Sequence, residues 1–135
     1  MGALNNQGKS IKANARVLIV DDEPGICLLL KALLDQVGFH CQTASSGNEA
    51  LEILKQQEFD ALISDLRMPG ISGLALLEAA RAKYPRMRFL IATGGGDVQA
   101  GVEAVKSGAD DYVVKPFRLD EVMAALERAL EKKPR

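Results

Sequence analysis

Short apolar runs and longer amphipathic segments alternate along the chain from residue 16 to about residue 130. Runs of β-branched and aliphatic residues without alternation are typical of strands buried in a parallel sheet. Segments whose apolar residues recur every three or four positions are typical of helices. Five such strand-then-helix units with short connections predict an α/β fold, with a parallel sheet covered by helices on both faces. The predicted strands are 16–20, 39–44, a run ending at 65, 87–92 and 111–114.

Capping residues and breakers set the expected helix boundaries. Acids followed by Pro24 predict a first helix from about Glu23 to Val37, ended by Gly38. Helical spacing also predicts which residues of this first helix face the core. A capping box of Ser46 and Glu49 is expected at the start of the second helix. The remaining helices are predicted over 71–83, 97–106 and about 119–130. The predicted stripe of the first helix is Ile26, Leu29, Leu30, Leu33, Leu34 and Val37.

Size and composition suit one domain with an aliphatic core. The chain has 135 residues, of which 47% are hydrophobic and only 4% aromatic. We expect a compact domain over residues 15–132, between a disordered tail at 1–14 and a short tail at 133–135. A net charge of -1 argues against a dedicated nucleic-acid or anionic-membrane surface. Without a signal peptide, a membrane span or a metal-type cysteine spacing, the sequence predicts a soluble cytoplasmic protein.

Functional side chains stand at the ends of four of the five predicted strands. Asp21 and Asp22 follow the first strand, and Asp65, Thr93 and Lys115 end the third, fourth and fifth. The carboxyl ends of parallel strands lie at one edge of a sheet, where open α/β folds build their sites. Taken singly, each residue also fits a plain turn, cap or strand end. Their convergence on one edge favours a common site.

Electrostatics suggests what this group of residues can hold. Three neighbouring carboxylates repel one another and require a cation. Mg²⁺ prefers carboxylate, water and phosphate oxygens, and with Lys115 it would balance the three acids. A phosphoryl group on Asp65 would carry a charge of about -2, and the Thr93 hydroxyl and the glycines after it can supply donors. The site therefore fits an aspartyl phosphate, a known covalent intermediate of carboxylate nucleophiles.

Five motifs stand in order along residues 16–132. They are Val17-Leu18-Ile19-Val20-Asp21-Asp22-Glu23, Asp65-x-x-Met68-Pro69-Gly70, Thr93, Gly108-Ala109-Asp110-Asp111-Tyr112 and Lys115-Pro116-Phe117. Each motif alone is modestly specific, whereas all five in this order at the right strand positions make a specific match. In these motifs, residues 16–132 resemble a response-regulator receiver domain.

The resemblance implies a flavodoxin-like doubly wound sheet with strand order 2-1-3-4-5. It implies that a sensor histidine kinase transfers a phosphoryl group to Asp65, and that the chain assists this transfer and its own slow dephosphorylation without being an enzyme. Mg²⁺ would be held by Asp21, Asp22, Asp65 and the backbone carbonyl of Arg67. Nothing in the resemblance implies direct nucleic-acid or membrane binding by this domain.

The resemblance also implies how phosphorylation would change the conformation of the protein and its signalling face. Thr93 and Lys115 would bind the phosphoryl group, Tyr112 would turn inward with Thr93, and the bond between Lys115 and Pro116 would be cis. Arg67 and Gly94 are expected to modulate the site. The fourth helix, fifth strand and fifth helix form the family's usual signalling face, through which we expect a possible homodimer. Charges on this face that can pair across a two-fold axis, or form a solvated rim, are Lys106, Asp110, Asp111, Arg118, Glu121 and Arg128.

The output of the signal is suggested only by analogy. The segment 65–69 and the glycine-rich loop after Thr93 resemble receivers of transcriptional regulators, so control of transcription is the expected output. A single-domain regulator and a receiver followed by an output domain both fit the sequence.

Two enzyme classes offer alternatives. A nucleotide-binding enzyme would need a glycine-rich turn after the first strand, where this chain has acids that would repel a pyrophosphate. A phosphatase with an aspartate nucleophile would share the phosphoryl chemistry. That class usually carries a second acid two residues after the nucleophile, where this chain has Arg67.

Two further positions carry expectations of their own. Arg67 is expected either to pair with an acid or to guard the acyl phosphate from water. Gly101, inside the fourth helix, costs about 1 kcal/mol relative to Ala. It is expected either to be a neutral surface glycine or to mark a helix poised to move.

Overall fold

The computed structural model describes residues 14–94 and 97–131. Five strands form one sheet in which every described neighbouring pair is parallel, in the order β2-β1-β3-β4-β5. This confirms the doubly wound fold and the strand order expected above. The strands are β1 (Arg16–Val20), β2 (His40–Ala44), β3 (Ala61–Asp65), β4 (Arg88–Thr93) and β5 (Asp111–Val114). The helices are α1 (Pro24–Gln36), α2 (Gly47–Gln56), α3 (Gly73–Lys83), α4 (Val98–Lys106) and α5 (Leu119–Glu131).

Two apolar layers form the core, one on each face of the sheet. Successive strand residues point to opposite faces, so Ile19 and Ile63 pack with α1 and α5, whereas Leu18 and Leu62 pack with α2, α3 and α4. Strand β4 is buried along its whole length, and β3 is buried up to Ser64. Apolar residues on both faces explain why these central strands show no alternation. Strands β2 and β5 lie at the edges and are partly exposed.

The first helix differs from its sequence-based prediction in one part of its apolar stripe. Leu30 and Leu34 are buried as expected, but Leu29 is 55% exposed and Cys27 occupies the core instead. The cause is the orientation that the Asp21–Glu23 turn gives to α1, because the Glu23 carbonyl accepts the first helical hydrogen bonds and the Cys27 thiol lies 3.4 Å from the Asp21 carbonyl oxygen.

Caps explain the other helix boundaries. The Ser46 hydroxyl accepts the Glu49 N–H at 3.1 Å, as expected, but the Glu49 carboxylate accepts from Ser45 instead of Ser46. Helix α3 begins at Gly73 and not at residue 71, because Ser72 provides its cap by accepting the Ala75 N–H at 3.1 Å.

The two predicted glycine stops are confirmed. Gly38 has φ 103° and Gly108 has φ 117°, a backbone region that glycine enters without steric cost.

Three expectations fall partly or wholly outside the described residues. These are the tails predicted for 1–14 and 133–135, of which only Asn14 is described, and the part of the glycine loop at 95–96. Among the described residues, no helix combines the length and the apolar character needed to span a membrane.

Candidate functional site

The carboxyl edge of the sheet brings the predicted residues together. Pairing of Asp65 with Ala92, and of Thr93 with Val114, places the ends of β3, β4 and β5 side by side. Asp21 directly follows β1, and its N–H donates to the Ala44 carbonyl at 3.1 Å, which extends the sheet by one residue. The site is therefore built on strand ends that the surrounding core holds in place.

Three carboxylates form the centre of the site. One carboxylate oxygen from each of Asp21, Asp22 and Asp65 lies within 4.8 Å of the others. Asp21 is buried, Asp65 is half-buried and Asp22 is exposed, so the cluster opens toward solvent on one side. Oδ1 of Asp21 accepts the Glu23 N–H at 2.9 Å, which restricts the orientation of the carboxylate. Oxygen-only ligands in this number suit a hard divalent cation such as Mg²⁺.

Lys115 provides the positive charge of the site. Its Nζ lies 2.7 Å from Oδ2 of Asp21 and 3.4 Å from Oδ2 of Asp65. Burial by itself lowers the pKa of Lys115, but the hydrogen bond and charge of Asp21, followed by those of Asp65, more than offset it and raise the pKa. Lys115 therefore carries a positive charge in the site. Its ammonium contacts both Asp21, a candidate metal ligand, and Asp65.

The Asp65 carboxyl has an environment unlike that of a surface acid. Burial raises its pKa, the Lys115 charge opposes this, and the Asp21 charge adds to it. The nearby backbone of Arg67 makes a smaller contribution, which lowers the pKa of Asp65. On balance the pKa of Asp65 is raised, because burial outweighs the Lys115 charge. A half-buried carboxylate beside Lys115 has the chemistry of a candidate nucleophile.

Thr93 carries an unsatisfied donor at this edge. The residue is 1% exposed, and its Oγ1 has no hydrogen-bond partner among the described residues. Its backbone carbonyl accepts the Lys115 N–H at 2.7 Å, so the two residues are fixed relative to each other. A buried hydroxyl without a partner costs free energy. This cost indicates a position that is completed by a further acceptor, such as an oxygen of a bound group.

The remaining predicted residues also lie on the elements around this edge. Tyr112 pairs with Ile91 in β5, and its half-buried ring packs against Gly101 of α4. Gly94 follows Thr93 and is exposed, and its carbonyl accepts the Asp97 N–H at 2.9 Å. The peptide bond between Lys115 and Pro116 is cis, as the resemblance implied.

Arg67 pairs with an acid, which was one of its two expected roles. Its guanidinium binds Asp97, the residue before α4, through two hydrogen bonds. The sequence analysis did not identify Asp97 as the partner of Arg67. The signal that could have indicated it was an acid near the start of a predicted helix.

Gly73 is a second residue that was missed. A Cβ at this position would lie 2.5 Å from the Asp65 carbonyl oxygen and 2.9 Å from Cα of Leu66. The backbone of α3 therefore approaches the central loop more closely than any other residue type would permit. The Gly73 N–H also donates to the Leu66 carbonyl at 2.9 Å, so this contact fixes the backbone beside Asp65. A glycine in the first turn of a helix was the available signal.

Charges on the face of α4, β5 and α5 are mostly paired within the chain. Asp110 is not on this face at all, because it is 4% exposed and its carboxylate accepts the Phe89 N–H and contacts Arg81. Asp111 pairs with Arg128 at 2.8 Å. Arg118 pairs with both Asp120 and Glu121 at 3.3 Å. Pairing across a two-fold axis would have to compete with these contacts.

Together these groups can hold a divalent cation and a phosphoryl group on one carboxylate. The acids supply oxygen ligands, Lys115 supplies a positive charge, and Thr93 supplies a free hydroxyl. A nucleotide is not favoured, because the acids occupy the turn after β1, where a pyrophosphate would bind.

Comparison with known families gives a match over most of the chain. The family described as response regulator receiver domain matches residues 17–127. The DNA-binding transcriptional regulator NtrC of Klebsiella pneumoniae is 43% identical over 112 residues, which are 83% of this chain and 24% of that protein. The transcriptional regulatory protein ZraR of Escherichia coli K12 is 41% identical over 117 residues, which are 87% of this chain and 26% of that protein. The chain thus spans about a quarter of the length of these relatives.

Solved structures match in fold and length. A response regulator receiver domain protein from Clostridium thermocellum has a TM-score of 0.81 at 35% identity, covering 86% of this chain and 94% of that one. The receiver domain of NtrX from Brucella abortus has a TM-score of 0.82 at 31% identity, covering 87% and 99%. The chemotaxis response regulator CheY4 of Vibrio cholerae has a TM-score of 0.78 at 32% identity, covering 85% and 98%.

Proposed function

Because the chain belongs to the response regulator receiver domain family, we propose that Asp65 accepts a phosphoryl group from a sensor histidine kinase. The observation that carries this proposal is the position of the Lys115 Nζ, 2.7 Å from Asp21 and 3.4 Å from Asp65. The same ammonium contacts the nucleophile and a candidate metal ligand, which is the arrangement that a transferred phosphoryl group requires.

Receiver domains bind Mg²⁺ at an acidic pocket, and the donor set here fits that ion. We assign the ligands to the carboxylates of Asp21, Asp22 and Asp65 and to the backbone carbonyl of Arg67. The spacing of the three carboxylates within 4.8 Å supports the assignment. When bound, Mg²⁺ would neutralise the charge that collects on the phosphoryl oxygens.

In the transfer step, a carboxylate oxygen of Asp65 attacks the phosphorus of the kinase phosphohistidine. A new P–O bond forms, the P–N bond breaks, and its electron pair returns to the imidazole nitrogen. Lys115 neutralises a phosphoryl oxygen, and the Thr93 hydroxyl donates to another. The unsatisfied Oγ1 of Thr93 supports this last role. The product is an acyl phosphate on Asp65, so the protein is a reactant and does not turn over substrate.

Dephosphorylation returns the site to its starting form. Water attacks the phosphorus, the bond to the Asp65 oxygen breaks, and inorganic phosphate and the free carboxylate are produced. We propose that the chain itself assists this slow step, and that Arg67 and Gly94 modulate its rate. Arg67 stands where an aspartate phosphatase would carry its second acid, so rapid sustained hydrolysis is not expected.

The signal is proposed to leave through the face of α4, β5 and α5. On phosphorylation the Thr93 hydroxyl would move toward the phosphoryl group, and Tyr112 would turn inward to fill the space. Val98 and Val105 are large apolar side chains exposed on α4 and would be available for a homodimer or an output domain. The similarity to NtrC and ZraR supports control of transcription in the cytoplasm as the output, through DNA contacts made outside this domain.

The test is incubation with acetyl phosphate and Mg²⁺, followed by intact mass measurement. The wild-type protein is expected to gain one phosphoryl group, and Asp65→Asn is expected to gain none. Asp120→Asn, which removes an exposed acid far along the chain on α5, serves as the matched control and should behave as wild type. An adduct of equal yield on Asp65→Asn would refute the assignment. Continuous phosphate release from a small phosphomonoester would instead favour the phosphatase.

A further inference from the structure

Gly101 is a buried glycine inside α4. Glycine is a poor helix former in such a position, because it loses more backbone entropy on folding than other residues. It has neither a turn nor a positive φ to justify it, since its backbone continues the helix. The position therefore needs another explanation.

The explanation lies in the ring of Tyr112. A Cβ at position 101 would stand 2.8 Å from Cδ2, 3.0 Å from Cγ and 3.3 Å from Cε2 of that ring. Contacts below 3.0 Å are not tolerated by a real Cβ. These atoms include Cγ, through which the ring is attached to the side chain, so a small movement of the hydroxyl end would not relieve the overlap. A side chain at 101 and the ring in this position exclude each other.

The backbone that carries the ring is anchored. Tyr112 pairs with Ile91 in the sheet, and its N–H donates to Oδ1 of Asp111 at 2.8 Å. The other oxygen of Asp111 pairs with Arg128 of α5 at 2.8 Å. Any overlap at position 101 would thus be relieved by rotation of the Tyr112 side chain or by displacement of α4, and not by a shift of β5.

We propose that the lack of a side chain at Gly101 leaves the space on α4 in which the Tyr112 ring packs, which we call the seat of the ring. We further propose that contact at this seat transmits the position of the ring to the helix. The inference rests on the proposed function, in which Tyr112 turns when Asp65 is phosphorylated. While the ring is seated, it packs against the α4 backbone at Gly101 and holds the helix. When the ring leaves, α4 loses this contact and is released. Gly101 is thus a positioning residue of the switch, and its role is steric.

A spectroscopic test can isolate this ring. The chain has two tyrosines and no tryptophan, so Tyr84→Phe leaves Tyr112 as the sole tyrosine. In that background Gly101→Ala is the test variant. Gly25→Ala is the matched control, because Gly25 is also a helical glycine and a Cβ there would meet nothing within 4 Å. Tyrosine emission is recorded before and after phosphorylation by acetyl phosphate and Mg²⁺.

We expect the parent and Gly25→Ala to change emission on phosphorylation by the same amount. Gly101→Ala is expected to have the phosphorylated emission from the start and to lose most of the change. A full emission change in Gly101→Ala would overturn the proposal.

A second measurement needs no phosphorylation and so separates this proposal from the proposed function. The thermal midpoint is measured for Gly101→Ala, Tyr112→Ala and the double variant. Gly101→Ala is expected to lower the midpoint when Tyr112 is present and to raise it in Tyr112→Ala, where the helix gains a better residue without overlap. Equal shifts in both backgrounds would overturn the seat even if Asp65 is phosphorylated. Unequal shifts would support it even if Asp65 is not.

Discussion

The guanidinium of Arg67 donates two hydrogen bonds to the carboxylate of Asp97, with Nε 2.7 Å from Oδ2 and Nη2 3.2 Å from Oδ1. This bidentate ion pair joins the loop after β3 to the first residue before α4. The Asp97 side chain makes no capping hydrogen bond to the helix that it precedes. The hydrogen bond and charge of the partner raise the pKa of Arg67 and lower that of Asp97. The nearby backbone of Arg67 meanwhile lowers the pKa of Asp65, so one residue influences both the proposed phosphoacceptor and the start of α4.

This ion pair leads to a prediction about the phosphorylated form. Arg67→Ala is expected to change the lifetime of the acyl phosphate severalfold and to change the rate of phosphorylation less. The reason is that the side chain points to Asp97 and lies outside the carboxylate cluster, while its backbone contacts are kept. Decay of the phosphorylated mass after removal of acetyl phosphate measures the lifetime.

Asp97→Ala is the control for the same prediction. If the ion pair sets the lifetime, both variants alter it equally. If the free guanidinium shields the acyl phosphate, only Arg67→Ala alters it. Lifetimes equal to wild type in both variants would remove Arg67 from the modulating residues.

Mg²⁺ is expected to raise the thermal stability of the protein. A ligand that binds only the folded state at ten times its dissociation constant adds about 1.4 kcal/mol to the free energy of unfolding. Asp21→Asn, which removes one charge from the carboxylate cluster, should lose most of the shift in melting temperature, whereas Asp120→Asn should keep it. A shift of the same size in Asp21→Asn would exclude this residue as a ligand.

Asp110 is expected to matter for stability and not for the chemistry. Its buried carboxylate accepts the Phe89 N–H at 2.8 Å and lies 3.3 Å from Nη2 of Arg81. Breaking a buried pair by removing one partner costs about 3 kcal/mol or more. Asp110→Ala should therefore lower the free energy of unfolding by about 3 kcal/mol in urea, against less than about 0.5 kcal/mol for the exposed Asp120→Ala. A loss below 1 kcal/mol would contradict this account.

Cys41 is expected to be a weakly reactive thiol. Burial, followed by the charge of Asp35, raises its pKa from 9.0 to about 12. In a Cys27→Ala variant, the rate of alkylation by iodoacetamide should keep rising above pH 10 in the folded protein, whereas in urea it should reach half its maximum near pH 9 and then level off.

The same pKa shift predicts the direction of the stability change with pH. The unfolded chain loses the Cys41 proton near pH 9, and the folded chain retains it up to about pH 12. Because the folded state then binds more protons, this group contributes stability below pH 9 that is lost as the pH rises toward 12. Folded and unfolded alkylation profiles that coincide would contradict the prediction.

Much of the site was predictable because its residues stand at points that the sequence itself marks. Asp65 ends an apolar run and precedes Pro69 and Gly70, and Lys115 ends another run before Pro116. A parallel sheet places every such end at one edge, so a local pattern was enough to group residues that are far apart in the chain. Their roles in binding Mg²⁺ and the phosphoryl group remain predictions.

Most of the missed features depend on contacts between distant segments. Asp97 was not recognisable as the partner of Arg67, because thirty residues separate them. Asp110 was expected on the surface, since nothing near it in sequence marks the carboxylate as the acceptor of the Phe89 N–H. Leu29 was placed in the core by helical spacing, but the turn before α1 rotates it into solvent.

The sequence by itself determined the order of strands and helices, the class of fold and the group of side chains at the carboxyl edge. These follow from the periodicity of apolar residues and from caps, which act over a few neighbouring positions. Only the tertiary structure decided which charges are paired. It also decided that Gly73 allows α3 to pack closely against the backbone of Asp65, and that the ring of Tyr112 packs against Gly101. Those features depend on distances of a few ångströms between elements, because ion pairs and steric overlap exist only once the elements have packed.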